Sequence, residues 1–301
     1  MAHANQDRYS KMVDAKLRAN LVTRDNYIFN NRYEGDPKAG KVKIPVRDTE
    51  VEVKDYDKAN GIDPAAGTTT YLDLDIDQDE AVNELIDGFD AESVPDGIVA
   101  ERLDSAAYSL GLSMDKKSLN VLEAAGTGSG SVEAGTLANV STSKTACTAS
   151  NAYKEALAAK RTLSRMGVPN DGQRWMIVSP EYLEVLMQDP NFVKQGDLAQ
   201  ELVQEGAVGK IAGFLVFESA NLDYESTTRV ASKKTTTEFI AGHPNWCHRV
   251  QEWQVAPHLQ DLSGSGKYIG ASAVQGRKVY GVKVSKPQTL YIKRIEVAVG
   301  G

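Results

Sequence analysis

The chain has 301 residues, 34 of them basic and 41 acidic, for a formal charge of −7, with 41% hydrophobic and 25% charged side chains. Those proportions exclude wholesale disorder and collagen-like repetition, and the length allows one large domain or two smaller ones with a buried core. No apolar run approaches the roughly 20 residues of a membrane helix, and the opening MAHANQDRYS lacks the apolar core of a secretory signal, so a soluble protein made in the cytoplasm is expected.

Charge is distributed unevenly: residues 1–35 carry a net +2, 36–80 a net −6, 81–232 a net −9 and 233–301 a net +6. A polyanion-binding protein would show a continuous basic tract, so tight, specific nucleic-acid binding is not expected. The pattern permits head-to-tail contact between copies, and equally permits pairing within the chain or plain solvation. Cys147 and Cys247 lie in different segments and read as free thiols rather than a disulfide framework.

Residues 1–35 read as an arm with a short helix. Its apolar residues, Leu17, Leu21, Val22, Tyr27, Ile28 and Phe29, need some other surface to cover them. Apolar and charged residues then alternate in 41–46, 51–54 and 71–77, as in strands with one apolar and one charged face. The Gly- and Pro-containing stretch 60–67 marks a long turn between them. The product is a protruding β-hairpin over 36–80, and a two-stranded ribbon is marginal alone in water.

Over 93–125 the period changes to three and four, through Val99, Leu103, Ala107, Leu110, Met114 and Val121, predicting a long helix stopped by Gly126 and liable to bend at Gly111. Residues 126–150, rich in Gly, Ser, Thr and Ala, read as a link. Next come a helix from Asn151 to Met166, a strand at 174–178, a helix opened by Ser179 as N-cap with Pro180 at its first position, a short helix near 198–204 and a buried strand at 211–217. The remainder is strand-like, at 239–241, 250–255, 278–284 and 290–299.

Catalytic signatures are not found. The glycines of 126–130 are followed by no Lys-Ser or Lys-Thr and come after a helix, so they do not form a phosphate loop, and neither 126–131 nor 263–266 has the register of a nucleophile elbow. His243, Cys247 and His248 offer three potential metal ligands in six residues, but structural zinc takes four from two paired clusters, which favours turn and core packing there. Asp73, Asp75 and Asp77 line one strand face. Their mutual repulsion must be relieved by hydration, by bases on another segment or another copy, or by a divalent cation. No carboxylate has a recognisable acid–base partner, and no cofactor is implied.

The order of arm, hairpin, long helix, α/β module and terminal strands resembles the major capsid protein of tailed bacteriophages, with the Hong Kong 97-type fold. The most specific stretch is 153–222. There Tyr153–Val168, Pro169-Asn170-Asp171-Gly172, Trp175-Met176-Ile177-Val178 and Ser179-Pro180 are similar to the opening of the family's axial domain, and 206–214, with Ser219 and Asn221-Leu222, to its glycine-punctuated turn into a strand. Ile240-Ala241-Gly242-His243-Pro244 and 276–284 match further along.

The resemblance implies an α+β chain with five parts: an N-terminal arm at 1–35, an extended loop at 36–80 lying over a neighbour, a peripheral domain with spine helix and linker at 81–145, an axial domain at 146–275, and closing peripheral strands at 276–301. It implies a non-enzymatic shell protein of the virion, made in the bacterial host, forming pentamers and hexamers around double-stranded DNA. Scaffolding, portal and decoration proteins and non-specific contact with packaged DNA are the further partners it implies. No long scaffold segment precedes the arm, which leaves a separate scaffold or a trimmed precursor open. Asp73, Asp75, Asp77, Leu21, Tyr27 and Phe29 are the candidate intersubunit contacts. The alternatives are a nanocompartment shell of the same fold and a metal-dependent enzyme using His243, Cys247 and His248.

Overall fold

The computed structural model describes residues 16, 18–23, 26–30, 40–46, 51, 53–61, 69–88, 98–126, 137–188, 207–222, 236–264 and 266–295. Eleven strands are described: β1 (Lys41–Val46), β2 (Thr70–Asp75), β3 (Gln78–Asp87), β4 (Asn139–Ser143), β5 (Trp175–Val178), β6 (Ala207–Ile211), β7 (Phe214–Glu218), β8 (Thr237–Gly242), β9 (Cys247–Asp261), β10 (Ala271–Val284) and β11 (Tyr291–Ile295). With them stand the helices α1 (Ile98–Ala124), α2 (Ala152–Arg165) and α3 (Pro180–Gln188). The expected helix at 198–204, residues 1–15, Leu17 and the glycines 128 and 130 lie outside the described residues.

At the centre is a six-stranded mixed sheet in the order β4-β11-β8-β5-β7-β6. Every residue of β5 is buried. The two-residue period of a strand sends Trp175 and Ile177 to one face and Met176 and Val178 to the other. The first pair joins a core with Phe217, Ile240 and Ile292 from the sheet and Met114, Leu119 and Leu122 from α1. The second joins Val216, Phe239 and Ala241 under α2 and α3. Helix α2 meets that face through Ala152, Ala156, Ala159 and Leu163, whose three- and four-residue spacing forms one stripe and whose small side chains let the helix lie close. Ser179 caps α3 as expected, its Oγ accepting from the Tyr182 N–H at 3.2 Å.

Two expectations for this region are corrected. The single strand anticipated at 211–217 is a hairpin, β6 and β7, turned by Ala212 (φ 50°) and Gly213 (φ 89°). Left-handed backbone at both central residues matches the twist of the flanking strands, and apolar residues on either side hide the turn. Part of the supposed link at 126–150 is β4, a parallel edge strand beside β11. Its sequence, NVSTS, contributes backbone pairing more than apolar burial.

Beside this unit lies a three-stranded antiparallel sheet, β3-β10-β9, crossed by α1. Strand β3 escapes the sequence pattern because its inward positions, Gln78, Glu80, Val82, Glu84 and Ile86, are mostly polar. They meet cations instead: Glu80 pairs with Lys117 at 2.7 Å and Glu84 with Arg102 at 3.4 Å. The expected boundary at 275/276 falls inside β10, and β11, anticipated as a closing strand of the peripheral part, pairs with β8 and β4 in the six-stranded sheet. A single 3₁₀ turn at Pro287–Thr289 redirects the chain, and Leu290, Tyr291 and Ile292 are buried where it lands. Strands β1 and β2 form a separate two-stranded ribbon. Among the described residues no helix is long and apolar enough to cross a membrane.

Candidate functional site

The acidic face of the ribbon meets a base within the chain. In β1, Lys41 faces Asp75 directly in register, and its Nζ lies 3.1 Å from Asp75 and 3.8 Å from Asp73. These groups are exposed, and the carboxylates beside it raise the Lys41 pKa through the Asp75 hydrogen bond first. Asp77 falls in the short break between β2 and β3, outside the strand whose face it was expected to share. The base of the ribbon is seated by two groups that sequence reasoning missed. Lys283 on β10 donates to the Asp73 carbonyl at 2.9 Å, and Gly281 lets the Asp75 carbonyl approach so closely that a Cβ there would sit 2.2 Å from it. Neither has a sequence signature, because their need arises only when the ribbon crosses β10.

Away from the base the ribbon changes character. Val51, Val53 and Tyr56, on the loop joining β1 to β2, are 91%, 94% and 72% exposed, and Tyr71 is 65% exposed. Single exposed apolar residues are normal on a protein surface, but this group shares one excursion of the chain.

The arm residues are held differently from expectation. Ile28 and Phe29 are fully buried in the chain's own core, so Phe29 is covered from within rather than by a neighbouring copy. The Arg249 guanidinium lies over its ring at 5.1 Å. Tyr27 packs on Phe217, with ring centroids 6.1 Å apart, and Leu21 is half-buried where Gly111 leaves room: a Cβ at 111 would be 3.0 Å from Leu21 Cδ1. Gly111 therefore receives the arm instead of breaking α1. Asn30 bridges to β9, donating to the Cys247 carbonyl at 2.7 Å and accepting from the Arg249 N–H at 3.1 Å.

Asp115, buried in the middle of α1, ties these pieces together. One carboxylate oxygen accepts from the Thr23 N–H and hydroxyl, both at 2.8 Å, and the other from Asn221 at 2.7 Å. Burial pushes its pKa above the ordinary carboxylate value, while those three hydrogen bonds and the nearby Arg249 pull against the shift. An acidic residue within the apolar stripe of α1 was the available signal.

The residues considered as metal ligands point to separate partners. His243 Nε2 sits 3.1 Å from Asp171, and its Nδ1 accepts from the Asn245 N–H at 3.3 Å. Cys247 lies in the core, where burial pushes the thiol pKa up. His248 Nε2 contacts Ser285 Oγ at 3.0 Å, and burial lowers its pKa to about 4. Among the described residues no group of three or more His, Cys, Asp or Glu side chains could hold a metal ion.

The model of the phage capsid protein family matches residues 58–292, more than half of the chain. The chain belongs to the phage capsid protein family. Its function is that of a capsid shell protein. A solved structure titled Mycobacterium phage Che8 shares its fold with a TM-score of 0.66 at 23% identity, over 96% of each chain. The capsid of cyanophage P-SCSP1u gives a TM-score of 0.73 at 13% identity, covering 97% of this chain and 93% of that one. The mature capsid of bacteriophage PhiM1 gives 0.67 at 15%, covering 97% and 92%. No curated protein matches the chain. A nanocompartment shell is not favoured by these matches, and β3 and β4, which carried little sequence signal, are part of the fold of this capsid protein.

Proposed function

We propose that this capsid protein is the major shell subunit of a tailed phage, self-assembling as pentamers and hexamers into an icosahedral head around double-stranded DNA. It is a structural protein rather than an enzyme, resident in the virion after synthesis in the host bacterium. In this reading the six-stranded sheet with α2 and α3 is the axial domain, α1 with β3, β9 and β10 the peripheral domain, and the ribbon the extended loop over a neighbour. Scaffolding, portal and decoration proteins are partners of the assembled head, and contact with DNA is non-specific, in keeping with the net charge of −7.

The observation that carries the reading is the ribbon, whose loop leaves Val51, Val53 and Tyr56 almost entirely in water. Covering a side chain of this size is worth roughly 1.5–3 kcal/mol, and a closed shell supplies the cover symmetrically to every copy. Weak contacts made to several neighbours at once add through effective concentration. The Val51→Asp/Val53→Asp double variant should remain folded and soluble yet yield free subunits, measured by sucrose-gradient sedimentation and negative-stain microscopy. Abundant normal particles from it would overturn the role of the ribbon.

A further inference from the structure

Asn60-Gly61, on the excursion that joins β1 to β2, is the one Asn-Gly pair in the sequence. A tight turn closes there. The Gly61 N–H donates to the Asp57 carbonyl at 2.9 Å, and Asp57 and Gly61 form an antiparallel bridge. The Asp57 carboxylate folds back into the same turn: one oxygen accepts from the Ala59 N–H at 2.9 Å and the other from Asn60 Nδ2 at 2.6 Å. Gly61 has φ 68°, and a Cβ on it would meet nothing within 4 Å. Left-handed backbone, not crowding, therefore calls for glycine after Asn60. Every residue from 57 to 61 is exposed.

Such a pair is chemically unstable. With no side chain on the following residue, a deprotonated Gly61 nitrogen can attack Asn60 Cγ. The N–Cγ bond forms and the Cγ–Nδ2 bond breaks; the proton lost by the nitrogen is returned, through solvent, to the departing amine, which leaves as ammonia. Water then opens the resulting succinimide at either carbonyl, and no oxidant or reductant takes part. The product at position 60 is an aspartyl or isoaspartyl link, with a new negative charge in both and an extra main-chain methylene in the second.

The turn opposes each step. The attacking nitrogen holds its proton in the bond to the Asp57 carbonyl and must give that bond up to react. The amide under attack is tied by Nδ2 to the Asp57 carboxylate, so it is not free to swing onto the Gly61 nitrogen. The carboxylate's negative charge also stands beside the nitrogen anion and the oxyanion that would follow, and raises the energy of both. Its own hydrogen bonds, that from the Ala59 N–H first, hold the Asp57 pKa below the ordinary carboxylate value, so the charge is present at neutral pH.

We propose that Asn60 is a site of spontaneous deamidation in this chain and that Asp57 holds it unreacted while the ribbon is folded. The inference is independent of the assembly role proposed above. Within that role, Asp57 keeps the ribbon from gaining charge and changing its backbone as a particle ages.

Full-length chain incubated in mildly alkaline buffer, then digested and mapped by mass spectrometry, tests this against a synthetic peptide of residues 51–67 under the same conditions. Asn60 should deamidate about tenfold more slowly in the folded chain than in the peptide, because two hydrogen bonds and a fixed charge separate the two states. Asp57→Ala should bring the folded chain to within about threefold of the peptide. The other asparagines should keep their rates in that variant, which separates a local loss of protection from unfolding. Isoaspartate should appear among the products, as the succinimide route requires. Equal rates in the unaltered chain and the peptide overturn the proposal. An Asp57→Ala chain that reacts as slowly as the unaltered one also overturns it, since the loop itself would then be the protection.

Discussion

Strand β5 and the ribbon both carry apolar residues, yet they solve opposite problems. In β5 each residue faces one of two cores, so all four are buried by the chain that contains them. In β1 exposed and half-buried residues alternate along the whole strand, and only Leu74 of β2, near the seat on β10, is buried. The first element satisfies itself by folding; the second is left largely in water by folding, and the proposed function has association complete it. On that proposal, stability and assembly reside in different parts of the same chain.

The largest effect that separates them is expected at Trp175, which is fully buried and so close to Gly242 that a Cβ at 242 would lie 2.8 Å from its ring. Trp175→Ala should cost about 3–5 kcal/mol in urea unfolding of the free subunit, and a loss under about 1 kcal/mol would mean that this strand does not anchor the core.

An effect of similar order is expected on acidification, at His248 near the start of β9. Its folded pKa of about 4 lies below the ordinary 6.5, so the folded state binds fewer protons, and its stabilisation is full above about pH 6.5 and lost as pH falls toward 4. On the order of 3 kcal/mol is at stake, and His248→Gln should flatten the stability curve of the free subunit between pH 7 and pH 4. An unchanged slope would show that another group controls it. The smallest effect is expected at Lys41, whose pairs with Asp73 and Asp75 are solvated. Lys41→Ala should leave the melting temperature within error, and a clear drop would make the ribbon a stability element after all.

Where apolar pattern and burial coincide, the elements were legible in the sequence: the stripe of α1, the Ser179 cap and the run Trp175-Met176-Ile177-Val178 all appear where their residues indicate. Strands β3 and β4 were not, because β3 turns acids toward Lys117 and Arg102 and β4 contributes backbone pairing at an edge. Of the candidate contacts, Asp73 and Asp75 were recognised as needing a base, but Lys41 as the base became visible only with the strand register. Phe29 was recognised as needing cover, and the covering Arg249 lies far along the chain.

By itself, the order of residues determined which segments are helices or strands with an apolar side, the uneven distribution of charge, and the resemblance to a shell-forming family, since each depends on local periodicity or on short motifs. Only the tertiary structure decided that β11 returns to the six-stranded sheet, that Gly281 and Lys283 seat the ribbon, that Asp115 clasps the arm, and that Lys278 is walled in beside Trp253. Those outcomes depend on groups that meet within hydrogen-bonding or van der Waals distance although they lie from 25 to 210 positions apart, and no local pattern encodes which distant partner arrives.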